Sequence, residues 1–436
     1  MDQSLQLVGE HPPLPLATKA SAAAASLAAL GFVVMVLSPN PPASLGWICL
    51  AVLIVSVLVS LRPILSEPAG IKNHYIMSAS STRRGVAAWA MGVFMTGFYV
   101  LLYFYPATLR NLIVWVDPIK IAISGESAIG SDGSVSQWFL YGFLYTVAVL
   151  VMGVRAIAKY RHSRYQIIRT LSVMFFQLGF AFLIPNIMLA LNQPYYEWTN
   201  IWPLRYYEMF PSEVTHLANS GTVGITMLAW GIGSILIITP VLTYFFGKRW
   251  YCSWVCGCGG LAETLGDPFR QNSSKTLASW KLERWLIYSV LVFVFVTTGM
   301  LWANHLWGFL GSASGSFAKA YGFLIGAIFS GVIGTGFYPI FGSRVWCRFG
   351  CPMAAILGII QRFFSRFRIT TNGGQCISCG NCSTYCEMGI DVRWYAQRGQ
   401  DIVRASCVGC GVCSSVCPRG VLHLETGPTS TRRMVV

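Results

Sequence analysis

Residues 320–352 read AYGFLIGAIFSGVIGTGFYPIFGSRVWCRFGCP: an uncharged apolar run from 320 to 341, then an arginine and two cysteines, Cys347 and Cys351, spaced CxxxC. About 20 apolar residues rising 1.5 Å each cross a hydrocarbon core of about 30 Å. The segment therefore reads as a spanning helix that delivers two thiols to a membrane surface. The whole chain has the matching composition: of 436 residues, 54% are hydrophobic and 11% charged, with a mean hydropathy of +0.56. A charge at the centre of a spanning helix costs roughly 2.5 to 3.5 kcal/mol. So low a charge fraction excludes a disordered chain, a collagen and a water-soluble enzyme.

Working outward, apolar runs predict about eight spans, near 20–38, 45–61, 86–106, 136–154, 170–190, 222–246, 285–303 and 320–341. The first has only Lys19 ahead of it and no small-x-small cleavage pattern before Pro41, so it reads as a retained helix. With the N-terminus inside, 27 of the 31 basic residues face the cytoplasm, and only Arg110, Lys120, Arg205 and Lys319 lie across the membrane. The net charge of +15 thus reports topology by the positive-inside rule and gives a nucleic-acid partner no support. Expected outside are 107–135, 191–221 and 304–319; expected inside are 62–85, 155–169, 247–284, everything after 342 and both termini. The second outer segment is rich in Tyr195, Tyr196, Trp198, Trp202, Tyr206 and Tyr207, which read as a headgroup-level aromatic girdle, with partner docking or a quinone site as the alternative.

Eight of the 14 cysteines lie between 376 and 417, in CISCGNCSTYCEMG (from 376) and CVGCGVCSSVCPRG (from 407). Both have the spacing CxxCxxCxxxC, the bacterial two-cluster ferredoxin pattern, in which three thiolates of a run hold one cubane and the fourth reaches the other. One [4Fe-4S] cluster is assigned to Cys376, Cys379, Cys382 and Cys417, and a second to Cys407, Cys410, Cys413 and Cys386. Glu387 stands where the pattern would place proline, a departure that alters the loop or local potential and removes no ligand. Zinc would more often carry paired CxxC knuckles, and disulfides are not expected on a cytoplasmic face.

A second repeat joins FGKRWYCSWVCGCGGL (from 246) to FGSRVWCRFGCPMAAI (from 341), with Phe246, Gly247, Arg249, Cys252 and Cys256 in register with Phe341, Gly342, Arg344, Cys347 and Cys351. If each segment were helical, its thiols would share one face at i and i+4. Cys252, Cys256, Cys347 and Cys351 are candidate ligands for a further metal or cluster, with Cys258 as a substitute; the alternative is four reduced thiols packing at helix ends. Cys49, alone in an apolar run, reads as packing.

Spans with two CxxxCP-type motifs followed by a two-cluster domain resemble the NapH, NosR and CcoG group of membrane-bound polyferredoxins, over roughly residues 222–425. Gly257, where that motif has proline, is a departure. The resemblance implies electron transfer at the membrane, with redox partner proteins or quinone and quinol, and alternatively a metal-handling or assembly factor (copper reduction, metalloenzyme maturation) or the anchor subunit of a larger redox complex. Some members carry a covalent flavin; here only SGTV at 220–223 is similar, so flavin is not expected. Haem is not expected either, since no two of the six histidines share one depth of a span, His216 and His305 falling near the outer surface.

The expectation is a polytopic α-helical membrane protein with a C-terminal α+β two-cluster bacterial-type ferredoxin domain, in a bacterial inner (cytoplasmic) membrane and in contact with lipid. Its divisions are a tail (1–19), an N-terminal spanning region (20–221), a C-terminal spanning region with the duplicated CxxxC (222–368), the ferredoxin-like domain (369–425) and a tail (426–436).

Overall fold

The computed structural model describes residues 16–66, 69–70, 82–308 and 310–427; the expected tails up to 15 and from 428, with His11 and His74, lie outside the described residues. Among the described residues, eight helices are long and apolar enough to cross a membrane: Leu16–Leu37, Ala43–Ser66, Val86–Phe104, Trp138–Lys159, Arg164–Ala190, Gly221–Phe246, Leu277–Trp307 and Ser312–Ile333.

The last two differ from expectation for local reasons. Thr276 caps the seventh span, its hydroxyl accepting the Ser279 N–H at 3.3 Å, so the helix begins well before its apolar centre. The eighth runs 312–333 and not 320–341. Gly334, Thr335 and Gly336 form a turn that ends it, and Tyr338–Phe341 is a separate helical turn with Pro339 inside it. An apolar window cannot register such a break. Among the described residues three spans loosen into π-helical stretches, Gln177–Leu183, Ser234–Ile238 and Gly322–Ile333; the first two lie just ahead of Pro185 and Pro240, whose missing N–H groups break the regular ladder.

The segments expected outside fold as structure. Arg110–Ser124 is a helix that lies outside the eight spans, ended by Gly125 at φ 72°. Its buried Trp115 sits so close to Gly46 that a Cβ there would meet the indole at 2.6 Å. Asp117 accepts the Ala128 N–H at 2.5 Å and the Ser127 hydroxyl at 2.8 Å, closing the loop that follows. In the second segment expected outside the girdle reading is corrected for two residues: Tyr196 and Trp202 are buried, because the Glu208 carboxylate accepts both the Tyr196 hydroxyl and the Trp202 backbone N–H.

Two large apolar cores result. One gathers the first spans around Leu102, Ile113, Trp115 and Leu140. The other runs without interruption from the seventh span (Val290, Val294) through Cys252, Cys256, Cys347 and Cys351 into the C-terminal region at Ile369, Met388 and Leu422. There, strands Arg368–Thr371 and Leu422–Glu425 pair antiparallel, Arg368 opposite Glu425, and bracket both cysteine runs.

Candidate functional site

The two cysteine runs fold alike. Each places left-handed backbone at equivalent positions: Ser378 (φ 60°) and Gly409 (φ 62°), Gly380 (80°) and Gly411 (73°), Gly389 (66°) and Gly420 (62°). Glycine takes this conformation without a Cβ penalty. Short helical turns follow, Asn381–Thr384 and Val412–Ser415, each carrying the third cysteine of its run inward.

Two cavities lie among these turns. One, small, is lined by Cys376, Cys379, Cys382 and Cys417; the other, equally small, by Cys386, Cys407, Cys410 and Cys413. Each thus meets three thiols of one run and the fourth of the other. Burial pushes the Cys382 and Cys410 thiols up to about 12 and Cys407 up to about 11. Thiols so placed are thiolates only beside a strongly electropositive group. Val421 N–H points at the Cys417 sulfur at 3.4 Å.

The duplicated CxxxC segments also share one backbone plan. Gly247 (φ 67°) and Gly342 (φ 94°) end the preceding helices, and both are closely packed: a Cβ would stand 2.7 Å from Phe367 in the first and 2.3 Å from the Ser273 hydroxyl in the second. A short helical turn then carries the first cysteine, Cys252 or Cys347. A continuous helix that would set the two thiols on one face at i and i+4 is not what forms. Cys256 and Cys351 are extended and cap new helices, Gly257–Glu263 and Pro352–Phe363. Pro352 accounts for this in the second copy, since it disfavours helical backbone at the preceding residue. In the first copy Gly257 stands in its place, and a Cβ there would lie 2.7 Å from Gln177 Oε1, so the Gln177 side chain would have to move aside for a larger residue.

The four cysteines are buried in one core, with Cys258 packed against it. The Arg344 guanidinium ties the copies together, donating Nη1 to the Cys252 carbonyl at 3.2 Å and to the Cys347 sulfur at 3.5 Å. The Cys258 thiol hydrogen-bonds to Cys256 and lowers its pKa against burial, while burial pushes Cys252 up to about 12. Cys49 packs within a span against Gly31.

Between the two sites lies a buried charge network that motif reading missed. Glu387 accepts from Arg270 Nη1 at 2.9 Å and from Arg344 Nε at 3.0 Å. Arg270 also pairs with Asp267 at 2.6 Å, Asp267 with Lys159 at 2.5 Å, and Glu263 with both Arg169 and Arg344. Burial alone would raise the Asp267 carboxyl, but Lys159 and Arg270 outweigh it and hold it well below the usual range. Burial would likewise raise Glu387, but Arg270, Arg344 and Arg169 outweigh it and lower it. Further bonds cross the boundary: Gln361 donates to the Cys407 carbonyl at 2.8 Å, Gln166 to the Cys410 carbonyl at 2.8 Å and Ser253 to the Val408 carbonyl at 2.9 Å. The only advance signal was that Glu263, Asp267 and Glu283 sit in a segment, 247–284, whose other charged residues are all lysine and arginine.

Among the described residues, the only group of three or more Cys, His, Asp or Glu whose ligand atoms lie within 4.8 Å of one another is Glu263, Glu387 and Cys410, and arginines already occupy both carboxylates. No three thiols converge to that degree. A tetrahedral zinc with arms of about 2.3 Å needs sulfurs about 3.8 Å apart. A cubane carries its thiolates on four separate iron corners and needs them spread. The four thiols lining each cavity are thus more spread than a single tetrahedral ion takes.

Comparison with known proteins agrees with this chemistry. A 4Fe-4S binding domain family matches residues 228–276 and 321–370, covering both CxxxC copies, and a 4Fe-4S dicluster domain family matches 368–418. The chain is 25% identical over 219 residues to the putative electron transport protein YccM of Escherichia coli (strain K12), covering 43% of this chain and 60% of that protein. It is 28% identical over 175 residues to the uncharacterized protein MJ0749 of Methanocaldococcus jannaschii, covering 39% and 63%. It is 26% identical over 175 residues to the methylamine utilization ferredoxin-type protein MauN of Methylobacillus flagellatus, covering 37% and 56%. The match thus spans about 60% of the length of these curated relatives. No solved structure matches the chain.

Proposed function

We propose that this membrane polyferredoxin-like protein passes electrons between a partner at the ferredoxin face and a redox carrier in the membrane, through three cysteine sites in series. Cys376, Cys379, Cys382 and Cys417 would hold one [4Fe-4S] cluster; Cys386, Cys407, Cys410 and Cys413 a second; Cys252, Cys256, Cys347 and Cys351 a third. Each such cluster supplies reversible one-electron redox chemistry when bound. The observation that carries the reading is the bridge from Glu387, which lines the second cavity, through Arg344 to Cys347 and Cys252. Those residues fix the second and third sites against each other and bury the path away from water.

Among the spans, beside the segment expected outside, a groove is lined by Trp202, Met209, Phe295, Thr298 and Trp302. Tyr251, next to Cys252 in the chain, is bonded to the backbone just before Trp202: its hydroxyl donates to the Thr199 carbonyl at 2.7 Å and accepts the Ile201 N–H at 3.3 Å. Beside the groove, burial raises the Glu208 carboxyl against the opposing pull of Tyr196 and Arg205, which favours a group that takes or gives a proton. A quinone or quinol is the carrier that suits an apolar groove with such a neighbour. The inner membrane, with the ferredoxin face and both termini cytoplasmic, is the proposed setting.

Protein purified without oxygen should contain about twelve iron and about twelve labile sulfide per chain, at four per cubane. Changing Cys252, Cys256, Cys347 and Cys351 to serine should remove about four of each and one spectroscopic signal. Zinc without sulfide would overturn the proposal, and an unchanged iron count in the fourfold variant would remove the third site.

A further inference from the structure

The two ferredoxin-type cavities have different surroundings. The second is tied to the membrane-side segments by the bonds to Cys407, Val408 and Cys410 described above. The first opens beside exposed surface: Ile377, on its rim, is 53% exposed, and Trp394, on the adjoining helical turn Val392–Gln397, is 42% exposed. That turn is held to the first cysteine run by Gln397, which donates to the Ser378 hydroxyl at 2.8 Å. Arg393 and Arg419 line the cavity and are exposed, and the Arg398 guanidinium lies 4.1 Å from the Trp394 ring centroid. Between residues 372 and 421 the carboxylates are Glu387, buried in the network, and Asp391 and Asp401, both half-buried. The face around the first site is therefore cationic, with two exposed apolar side chains at its centre.

We propose that this face docks a small, acidic, one-electron carrier protein. The proposal rests on the first cavity being an electron entry or exit site. Opposite charge steers the encounter and sets its salt dependence, while a small apolar centre ringed by arginines gives contact without a permanent complex. On docking, one electron moves between the carrier's redox group and the first site; one is oxidised as the other is reduced, and no atom is transferred.

The test uses the whole detergent-solubilised protein and a small ferredoxin of strongly negative net charge as probe. Binding of the oxidised probe, which needs no electron transfer, is followed at ionic strengths of about 0.01 M and about 1 M, between which the Debye length falls from about 30 Å to about 3 Å. Binding should be lost at the higher salt. Arg393→Glu with Arg419→Glu should lower the association rate at low salt by about tenfold or more, and Trp394→Ala should speed dissociation. Iron content is measured for every variant; where it falls, Arg398→Glu, outside the cavity lining, replaces the double variant. Binding insensitive to salt and to these changes overturns the proposal. So does equal capture of anionic lipid vesicles by the same arginines, which would make the face a headgroup contact. Wild-type protein without iron would defeat the electron-transfer reading separately, since probe binding is scored independently.

Discussion

Replacing Glu387 with glutamine should destabilise the protein substantially although it removes no cluster ligand. The side chain is buried, and its two oxygens reach Arg270 at 2.9 Å and Arg344 at 3.0 Å. The network around it holds four cations (Lys159, Arg169, Arg270, Arg344) against three carboxylates (Glu263, Asp267, Glu387), so neutralising one leaves two uncompensated positive charges. Removing one partner of a buried pair typically costs 3 to 5 kcal/mol. Each arginine here keeps a second carboxylate, which places the expectation at the lower end, about 3 kcal/mol. For a cooperative unit of 150 to 250 residues this corresponds to a fall in the melting midpoint of roughly 6 to 12 °C. Thermal melts of anaerobically purified protein in one detergent would measure it, with the exposed Arg362→Gln as control. Glu387→Pro restores the residue of the ferredoxin pattern, yet should cost no less, because it deletes the same carboxylate. A melt of Glu387→Gln within about 1 °C of wild type, smaller than even a 1 kcal/mol effect, would refute the idea that this network clamps the two regions.

Stability should also depend on acid. The folded-state pKa values of Asp267 and Glu387 are depressed, so their contribution is fully present above the unfolded carboxylate values near 4 and is lost as pH falls below them; the melting midpoint should be flat from neutral pH to about 5 and then decline. Gly257→Pro, which restores the resembled motif, should lower yield and melting midpoint, and Gln177→Ala in the same chain should recover part of the loss, since the blocking atom is Gln177 Oε1. An equal defect with and without Gln177 would show that the clash is not the cause. Gly247→Ala should destabilise by at least about 1 kcal/mol, because it strains a left-handed residue and drives a Cβ against Phe367; an unchanged melt would count against the tight approach.

The cysteine spacing and the apolar runs are local properties, and they were readable without coordinates. CxxCxxCxxxC, twice, already contains the exchange of the fourth thiol, because each loop reaches only three corners of a cubane. Eight spans followed from hydropathy alone, since a hydrocarbon core imposes a length on any helix that crosses it. Span ends were less legible: Thr276 and the Gly334 to Gly336 turn act through caps and backbone freedom, which an average over a window erases. What only the tertiary structure decided are relations between distant segments. Glu387 read as a missing proline until the fold set it between Arg270 and Arg344. Gly257 read as an imperfect motif until Gln177, on another span, was found to occupy the space a larger residue would need. Arg344 of one CxxxC copy bonds to the Cys252 carbonyl of the other, a relation that no spacing within either copy encodes. Ligand patterns are written along the chain, whereas compensation of buried charge is settled only where separate segments share one low-dielectric interior.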